Sequence, residues 1–348
     1  MKDFKKHLVH EDSTIVDALN QLNQLAKDTI VFIVNDEQQL VGSLTDGDVR
    51  RGLLKGVSID DKVTEIIQEN PKYILKGDTD VQKALQLRND NYKILPVVDS
   101  LKRIVKIINF RVLKSYLSID AVVMAGGRGE RLRPLTDSKP KPLLVIGDKP
   151  IIEHNIDRLI SFGIDDFWIS VRYLGEQIEE YFKDGSEKGV NIKYIWEDEP
   201  LGTIGAISKI DNFQHDHILV TNSDLLTTMD YESFCLEHIK NDADISVATI
   251  PYSITIPYAV LETDKSIVKG FEEKPTYTYY SNGGIYLIKR SVIEQIPKNT
   301  FFDATDLMEK VMSEGGKVCS FPLRDYWLDI GKMPDYTKAQ EDIKNLKL

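Results

Sequence analysis

Short apolar runs alternate with amphipathic stretches of helical period after residue 120, and this alternation constrains the fold more than any other feature of the chain. The first run, AVVMAGG at 121–127, ends in glycines, as a buried parallel strand does. Strands that alternate with helices imply right-handed crossovers and a mostly parallel sheet of the α/β class. Further strands are predicted at 166–171, 191–197 and 217–224, and helices at 151–163, 175–185 and 203–210.

Two segments before this alternation repeat one pattern. The strand–turn–strand run that begins with TIVFIV at 29–34 aligns, at an offset of 64 residues, with the run that begins with KILPVVD at 93–99. Each copy reads helix, strand, turn, strand, helix. Because a unit this small buries little apolar surface alone, we expect the two copies to share a core. The predicted domains are therefore 1–118 and 119–348.

Composition and charge exclude several classes of protein. The net charge of −11 argues against a nucleic-acid-binding surface, which requires a basic face, although it allows a small phosphate ligand. The two cysteines, Cys235 and Cys319, form neither a metal motif nor a disulfide framework. The chain has no apolar stretch of signal-peptide length at its N-terminus and no run of about 20 apolar residues. We therefore expect a cytoplasmic protein without a membrane partner.

The strongest motif is A-G-G-R-G-E-R-L-R-P-L-T at 125–136, followed by K-P-K-P-L at 139–143. Its glycines let backbone amides approach phosphate oxygens, so the loop is predicted to bind an anion. Arg131, Arg133, Lys139 and Lys141 add the positive charge that a triphosphate requires. The loop matches neither G-x-x-x-x-G-K-[ST] nor G-x-G-x-x-G, which argues against a P-loop enzyme and against a dinucleotide-dependent oxidoreductase.

With these motifs, residues 120–348 resemble the sugar-phosphate nucleotidyltransferase family. The resemblance implies a Rossmann-like (GT-A-like) sheet and an enzyme that joins a nucleoside triphosphate to a sugar 1-phosphate and releases pyrophosphate. It implies that Arg131 contacts the β- and γ-phosphates and that Lys141 lies near the α-phosphate. Asp224 and Asp329 match the family's two metal ligands, so Mg²⁺ is the expected cofactor. The implied nucleotide-binding residues of the loop are Ala125, Gly126, Gly127 and Gly129.

The same resemblance assigns the sugar phosphate to two short motifs. In E-E-K-P at 272–275, Glu273 is implied to accept hydrogen bonds from sugar hydroxyls, and Lys274 to neutralise the sugar 1-phosphate. In S-N-G-G-I-Y at 281–286, Asn282 and Gly283 lie beside a strand, where a glycine lets a sugar approach the backbone. A charged turn closed by proline is the structural alternative for the first motif.

The segment W-E-D-E-P-L-G-T-I-G-A at 196–206 bears on the base, because in the family this loop holds the nucleobase. Glu197 stands where thymidylyl- and uridylyltransferases carry glutamine, and Gly202 and Thr203 follow in the same loop. A carboxylate only accepts hydrogen bonds, and guanine offers two adjacent donors. These residues favour GTP. The alternative is an exposed acid at a strand end, which leaves the base open.

The N-terminal region resembles a tandem CBS-domain pair, on the motif G-S-L-T-D-G-D-V-R at 42–50. The resemblance implies that Thr45 and Asp48 bind the ribose of an adenine nucleotide, and the alternative is that they only cap a helix. In the second copy, Asn109 and Val112 stand at the positions that match Thr45 and Asp48, so this copy departs from the pattern. CBS pairs commonly self-associate, so a homo-oligomer built through residues 1–118 is expected.

The sequence thus predicts transfer of GMP from GTP to a sugar 1-phosphate, with glucosamine 1-phosphate or mannose 1-phosphate favoured and heptose 1-phosphate open. The combination of domains resembles enzymes of bacterial surface-sugar biosynthesis. Two alternatives remain: a uridylyl-, thymidylyl-, cytidylyl- or adenylyltransferase of the same family, and a CBS-linked regulatory protein with an inactive transferase domain. His215 and His217, in a polar turn, are predicted to be exposed and not to bind a metal.

Overall fold

The computed structural model describes residues 4–77 and 81–346. The chain divides into two compact units. The N-terminal unit comprises Met1–Ser118, Leu159–Asp166 and Phe182–Ile192, and the C-terminal unit comprises Ile119–Arg158, Phe167–Tyr181 and Lys193–Leu348. Within the described ranges, no helix combines the length and the apolar composition needed to cross a bilayer.

The N-terminal unit contains two three-stranded sheets of the same design. In each, a short strand pairs in parallel with the first strand of an antiparallel hairpin, and the hairpins begin at Ile30 and Ile94, 64 residues apart. The repeat predicted for the strand–turn–strand parts is therefore present in the backbone. The elements are β1 Leu8–His10, α1 Ile15–Gln24, β2 Ile30–Val34, β3 Leu40–Thr45, α2 Asp46–Leu54, β4 Ile74–Leu75, α3 Val81–Asn89, β5 Ile94–Val98 and β6 Ile104–Asn109.

The two copies differ after the hairpin. In the first copy, Thr45 and Asp48 form a capping box that begins α2. In the second, turns follow β6, so the predicted closing helix is wrong. The Asn109 side chain accepts a hydrogen bond from the Arg111 amide, and Val112 has no side-chain oxygen with which to complete a capping box. The start of the second copy's first helix, predicted from D-T-D at 78–80, lies outside the described residues.

The C-terminal unit is built on a seven-stranded sheet in the order β11-β10-β7-β12-β17-β14-β18, and the predicted α/β class is confirmed. β12 runs parallel to β7, whereas β17 runs antiparallel to both β12 and β14. The strands are β7 Asp120–Met124, β8 Val145–Ile146, β9 Lys149–Pro150, β10 Asp166–Val171, β11 Asn191–Trp196, β12 His217–Asn222, β13 Leu225–Thr227, β14 Ile245–Thr255, β15 Val260–Asp264, β16 Ile267–Glu272, β17 Thr276–Lys289, β18 Val318–Pro322 and β19 Trp327–Asp329. The helices are α4 Ile151–Ser161, α5 Gly175–Phe182, α6 Tyr231–Lys240, α7 Arg290–Ile293, α8 Ala304–Ser313 and α9 Met333–Asp342.

The helix predicted at 203–210 is instead a 3₁₀ helix over Gly205–Lys209. The amides of Ile204 and Gly205 both donate to the carbonyl oxygen of Phe302. A Cβ on Gly205 would lie 2.6 Å from the Thr300 carbonyl oxygen, so the neighbouring backbone approaches too closely for most residues. The Phe302 carbonyl oxygen therefore binds the two amides at the start of this segment, which have no acceptor within a helix.

The prediction that His215 and His217 are exposed is wrong, because both are half-buried. His217 lies at the start of β12, and its Nδ1 is 3.2 Å from Nε2 of the buried His238 in α6. Nδ1 of His238 is 2.8 Å from the Ser246 hydroxyl. Burial, together with the nearby His217 and Lys289, lowers the pKa of His238 to about 3.

This neutral histidine pair predicts a pH-dependent stability. Below the unfolded-state pKa of about 6.5, the unfolded chain binds a proton that folded His238 excludes, so the free energy of unfolding falls as the pH falls from about 6.5 towards 3. Between pH 7.5 and 5.5, the wild type should lose about 1 kcal/mol more than His238→Gln. Trp168, Trp196 and Trp327 all lie in the C-terminal unit, so urea unfolding followed by tryptophan fluorescence reports on that unit. If the free energy of unfolding fell by the same amount in the wild type and in His238→Gln, the prediction would be contradicted.

Candidate active site

A cavity of 510 Å³ opens at the carboxyl ends of β7 and β12. The two strands are paired in register, with Met124 opposite Asn222, so the segments that follow them leave the sheet side by side. Ligands of α/β sheets bind at this edge. Nine residues predicted from the sequence line the cavity: Gly126, Gly127, Gly129, Arg131, Lys141, Glu197, Gly202, Thr203 and Asp224.

The glycine loop is open to the cavity on one side and is held by close contacts with neighbouring residues on the other. Gly129 has a φ of +63°, and a Cβ there would lie 2.9 Å from the Lys141 Cβ. The Thr136 hydroxyl donates to the Gly129 carbonyl oxygen at 2.9 Å, which closes the loop. Ala125, by contrast, is buried behind the cavity, and its amide donates to the Ser170 carbonyl oxygen. The loop therefore presents Gly126, Gly127 and Gly129 to the cavity.

Glu197 is buried at the cavity wall, with 7% of its surface exposed. Its Oε1 accepts a hydrogen bond from the Ser170 hydroxyl at 2.5 Å, and its Oε2 accepts one from the Leu201 amide at 3.1 Å. A Cβ on Gly126 would lie 2.7 Å from Oε1. The structure thus excludes the alternative of an exposed strand-end acid, because the carboxylate lies directly beside the glycine loop.

Asp224 and Asp329 are brought together by a short antiparallel pair, β13 with β19. The Ile330 amide donates to the Asp224 carbonyl oxygen at 3.1 Å. Lys141 forms an ion pair with Asp224, and its Nζ lies 3.9 Å from Oδ1 of Asp329. Burial and the charge of Asp224 raise the pKa of Asp329. The two carboxylates therefore face each other across a single lysine ammonium group.

Gly202 and Thr203, which follow Glu197 along the chain, are held by residues at the start of α8. The amide and hydroxyl of Thr203 both donate to Oδ1 of Asp303, at 2.8 and 3.0 Å, and the Thr203 hydroxyl accepts from the Ala304 amide at 2.9 Å. Gly202 has a φ of +79°, and a Cβ there would lie 2.6 Å from the Phe302 carbonyl oxygen. Gly202 is thus required by the path of the chain.

The predicted sugar residues are not among the described residues that line the cavity. Glu273 and Lys274 lie in an exposed turn between β16 and β17. The Asn282 amide donates to the Tyr286 hydroxyl at 2.7 Å, and its oxygen accepts from the Gly284 amide. A Cβ on Gly283 would lie 2.8 Å from the Ala248 carbonyl oxygen, so glycine is required there by strand β14. Their roles in sugar binding stay predictions.

Thr45 and Asp48 belong to the N-terminal unit. Both fit the alternative of a helix cap, since the Thr45 hydroxyl bonds to Oδ2 of Asp48 at 2.6 Å. Arg51 and Gln68 donate to the other carboxylate oxygen. Burial raises the pKa of Asp48, but the hydrogen bonds from Thr45, Gln68 and Arg51 outweigh it and lower the pKa below its ordinary value. A cavity of 170 Å³ lies beside Asp48, and the nucleotide-binding role of these residues stays a prediction.

Sequence reasoning missed several lining residues. Arg172 directly follows β10. Asn222 is the last residue of β12, and Ser223 comes directly after it. The rule that ligands bind at the carboxyl ends of parallel strands would have found these three. Phe301 and Gly331 had no such signal, because they reach the cavity from segments far along the chain. The full set missed is Met124, Glu130, Pro142, Arg172, Pro200, Leu201, Asn222, Ser223, Phe301 and Gly331.

Comparison with known proteins gives two family matches. A sequence profile described as nucleotidyl transferase matches residues 120–345, and a profile described as CBS domain matches residues 5–55. The second copy of the N-terminal repeat lies outside the residues matched by the CBS profile.

Individual relatives each match about two thirds of the chain. The chain is 32% identical over 253 residues to UTP–glucose-1-phosphate uridylyltransferase of Synechocystis sp., covering 66% of this chain and 65% of that protein. It is also 32% identical over 230 residues to D-glycero-alpha-D-manno-heptose 1-phosphate guanylyltransferase of Aneurinibacillus thermoaerophilus, covering 65% of this chain and 99% of that protein. The chain thus spans just under two thirds of the length of its Synechocystis relative.

A solved structure has the same architecture. HddC from Yersinia pseudotuberculosis, complexed with GMP-PN, superposes with a TM-score of 0.50 and 27% sequence identity. The match covers 65% of this chain and 99% of HddC.

Alanine substitutions at the neighbouring Gly126 and Gly127 provide a matched test of the contact between the loop and Glu197. Gly126→Ala should place a methyl group 2.7 Å from Glu197 Oε1 and cost about 1–3 kcal/mol of stability. In Gly127→Ala the new Cβ would have no described atom within 4 Å, so its stability should change by less than about 0.5 kcal/mol. Thermal and urea unfolding of the two variants would measure the difference. Equal stability would contradict the close contact between the loop and Glu197.

Proposed function

Because the chain belongs to the nucleotidyl transferase family and carries a CBS domain near its N-terminus, we propose that residues 119–348 transfer a nucleotidyl group to a sugar 1-phosphate. The products are a nucleoside diphosphate sugar and pyrophosphate. One observation carries the proposal: the glycine loop, Arg131, Lys141 and Asp224 line a single cavity at the carboxyl edge of the sheet. Residues 1–118 are proposed as a regulatory CBS pair that responds to an adenine nucleotide.

Nucleotidyl transfer needs little covalent chemistry from a protein, because positioning and charge neutralisation do most of the work. In the proposed reaction, the amides of the glycine loop and Arg131 bind the β- and γ-phosphates. Lys141 leaves Asp224 to contact the α-phosphate. Lys274 neutralises the sugar 1-phosphate. An oxygen of the sugar phosphate attacks the α-phosphorus, and the bond from that phosphorus to the β-phosphate oxygen breaks.

The donor set at Asp224 and Asp329 fits a divalent cation that takes oxygen ligands. Oδ1 of Asp329 is buried and accepts no hydrogen bond from the described residues. Two carboxylates that repel each other, one with an unused oxygen, are suited to share a positive charge. We propose that they bind Mg²⁺, which when bound would neutralise charge on the reacting phosphates. No group of three or more His, Cys, Asp or Glu side chains suited to a metal occurs within the described ranges, so the substrate phosphates would complete the coordination.

Guanine is the base that Glu197 favours. Its carboxylate has about four lone-pair sites, and the structure uses one on each oxygen for Ser170 and Leu201. The remaining sites are available to the two donors of a guanine edge, whereas a uracil or thymine edge places acceptors beside its donor. HddC was solved with GMP-PN, and the Aneurinibacillus relative is a guanylyltransferase, which supports this choice. The Synechocystis relative is a uridylyltransferase, so a pyrimidine remains the alternative.

The sugar is proposed from the Synechocystis and Aneurinibacillus relatives, whose names both specify a sugar 1-phosphate. Glucosamine 1-phosphate and mannose 1-phosphate are proposed first, and the heptose 1-phosphate of the Aneurinibacillus relative third. Formation of a nucleotide-activated sugar for bacterial surface polysaccharide is the role proposed for the whole protein. We propose that it is a cytoplasmic homo-oligomer associated through residues 1–118.

The test of this function is pyrophosphate release with ATP, CTP, GTP, UTP and dTTP, each with Mg²⁺ and a panel of sugar 1-phosphates. Release is expected with GTP and at least one of glucosamine, mannose or heptose 1-phosphate. Release with UTP or dTTP instead would retain the reaction and reject the assignment of guanine. Absence of release in every well, with and without AMP or ATP, would favour the regulatory alternative.

Asp224→Asn is expected to lower pyrophosphate release more than about 100-fold, because an amide supplies one neutral oxygen where the carboxylate supplies charge and two oxygens. The side chains have the same shape, so the fold should be retained. Asp216→Asn is the matched control, since Asp216 is exposed and does not line the cavity among the described residues. Activity within tenfold of wild type in Asp224→Asn would reject the metal assignment.

A further inference from the structure

Ser170 connects the two halves of the nucleotide site, although it does not itself line the cavity among the described residues. It lies in β10 and is completely buried. Its carbonyl oxygen accepts the amide of Ala125, the first residue of the glycine loop, at 2.9 Å. Its hydroxyl donates to Oε1 of Glu197 at 2.5 Å. One serine therefore bonds to the phosphate-binding loop through its backbone and to the proposed base-reading carboxylate through its side chain.

The hydroxyl bond removes the rotational freedom of the Glu197 carboxylate. Oε2 is bound by the Leu201 amide, and Oε1 is confined between the Ser170 hydroxyl and the backbone of Gly126. A buried carboxylate with a hydrogen-bond donor on each oxygen is held in one orientation. Without the serine hydroxyl, Oε1 would be a buried charged oxygen lacking this donor, and the side chain would have to rotate or recruit water.

We propose that Ser170 is a positioning residue for base selection: it holds Glu197 in the orientation that accepts the two donors of a guanine edge. The inference rests on the proposed role of Glu197 in base recognition. Ser170 acts through Glu197 and does not touch the substrate. The Ser170 side chain is fully enclosed, and its hydroxyl faces a carboxylate oxygen of Glu197 at 2.5 Å.

This role predicts a defined pattern of kinetic effects. In Ser170→Ala, KM for GTP should rise about tenfold, which corresponds to about 1.4 kcal/mol, and should rise more than kcat falls. The ratio of kcat/KM for GTP over UTP should fall by a similar factor, because discrimination depends on the carboxylate orientation. Ser170→Thr keeps the hydroxyl and should recover most of the ratio. Ser246→Ala is the matched control: it also removes a buried hydroxyl that hydrogen-bonds in the same sheet, but its partner is His238.

A double-mutant cycle decides whether Ser170 acts through Glu197. The proteins are wild type, Ser170→Ala, Glu197→Gln and the double variant, each assayed with GTP, ITP and UTP. We expect Ser170→Ala to have less than a twofold further effect on the GTP:UTP ratio once Glu197 is glutamine. The proposal would be overturned if the two single-variant reductions of the GTP:UTP ratio multiplied in the double variant. It would also be overturned if Ser170→Ala lowered kcat/KM equally for all three triphosphates.

The same experiment separates this inference from the proposed function. A wild type that prefers GTP, with no change of preference in Ser170→Ala, would reject the role of Ser170 and leave the guanylyltransferase intact. A wild type that prefers UTP would reject guanine. In that case the coupling between Ser170 and Glu197, measured with UTP, would still decide whether the serine positions the carboxylate. Additive effects there would overturn it as well.

Discussion

The parallel pairing of β7 with β12 is the constraint on which the rest of the site depends. With Met124 opposite Asn222, the glycine loop and the segment carrying Asp224 leave the sheet at the same edge, and the Ser223 amide donates to the Met124 carbonyl oxygen. Backbone hydrogen bonds therefore decide that the glycine loop and the Asp224 carboxylate share one cavity. Two strands of the same composition paired with a different register would separate them.

Charge is balanced at this cavity by Lys141 and Asp224, which line it, and by Asp329, which lies beside Lys141. Lys141 follows the glycine loop, Asp224 follows β12 and Asp329 ends β19, and an ion pair joins the first two. The pKa of Asp329 is raised by its burial and by the charge of Asp224. The Lys141 ammonium lies within ion-pair distance of both carboxylates and offsets part of their repulsion.

Two buried serine hydroxyls of the sheet each orient a neighbouring ionisable side chain through a hydrogen bond. Ser170 bonds to Glu197, and Ser246 bonds to His238. In each case a hydroxyl inside the seven-stranded sheet forms a hydrogen bond with an ionisable side chain and so orients it. Glu197 of the first pair lines the cavity, whereas His238 of the second pair is buried away from it among the described residues.

The sequence alone determined the α/β class, the 64-residue repeat of the hairpins, the family and nine of the residues that line the cavity, because these depend on local periodicity and on short motifs. Only the tertiary structure decided the rest. It placed Arg172 and Phe301 at the cavity and turned 205–209 into a 3₁₀ helix through the Phe302 carbonyl oxygen. It also buried Glu197 against Gly126 and half-buried His217. The physical reason is that burial and hydrogen-bond partners are set by segments 100 or more residues away along the chain, as Asp303 is from Thr203, and a local sequence pattern does not record such contacts.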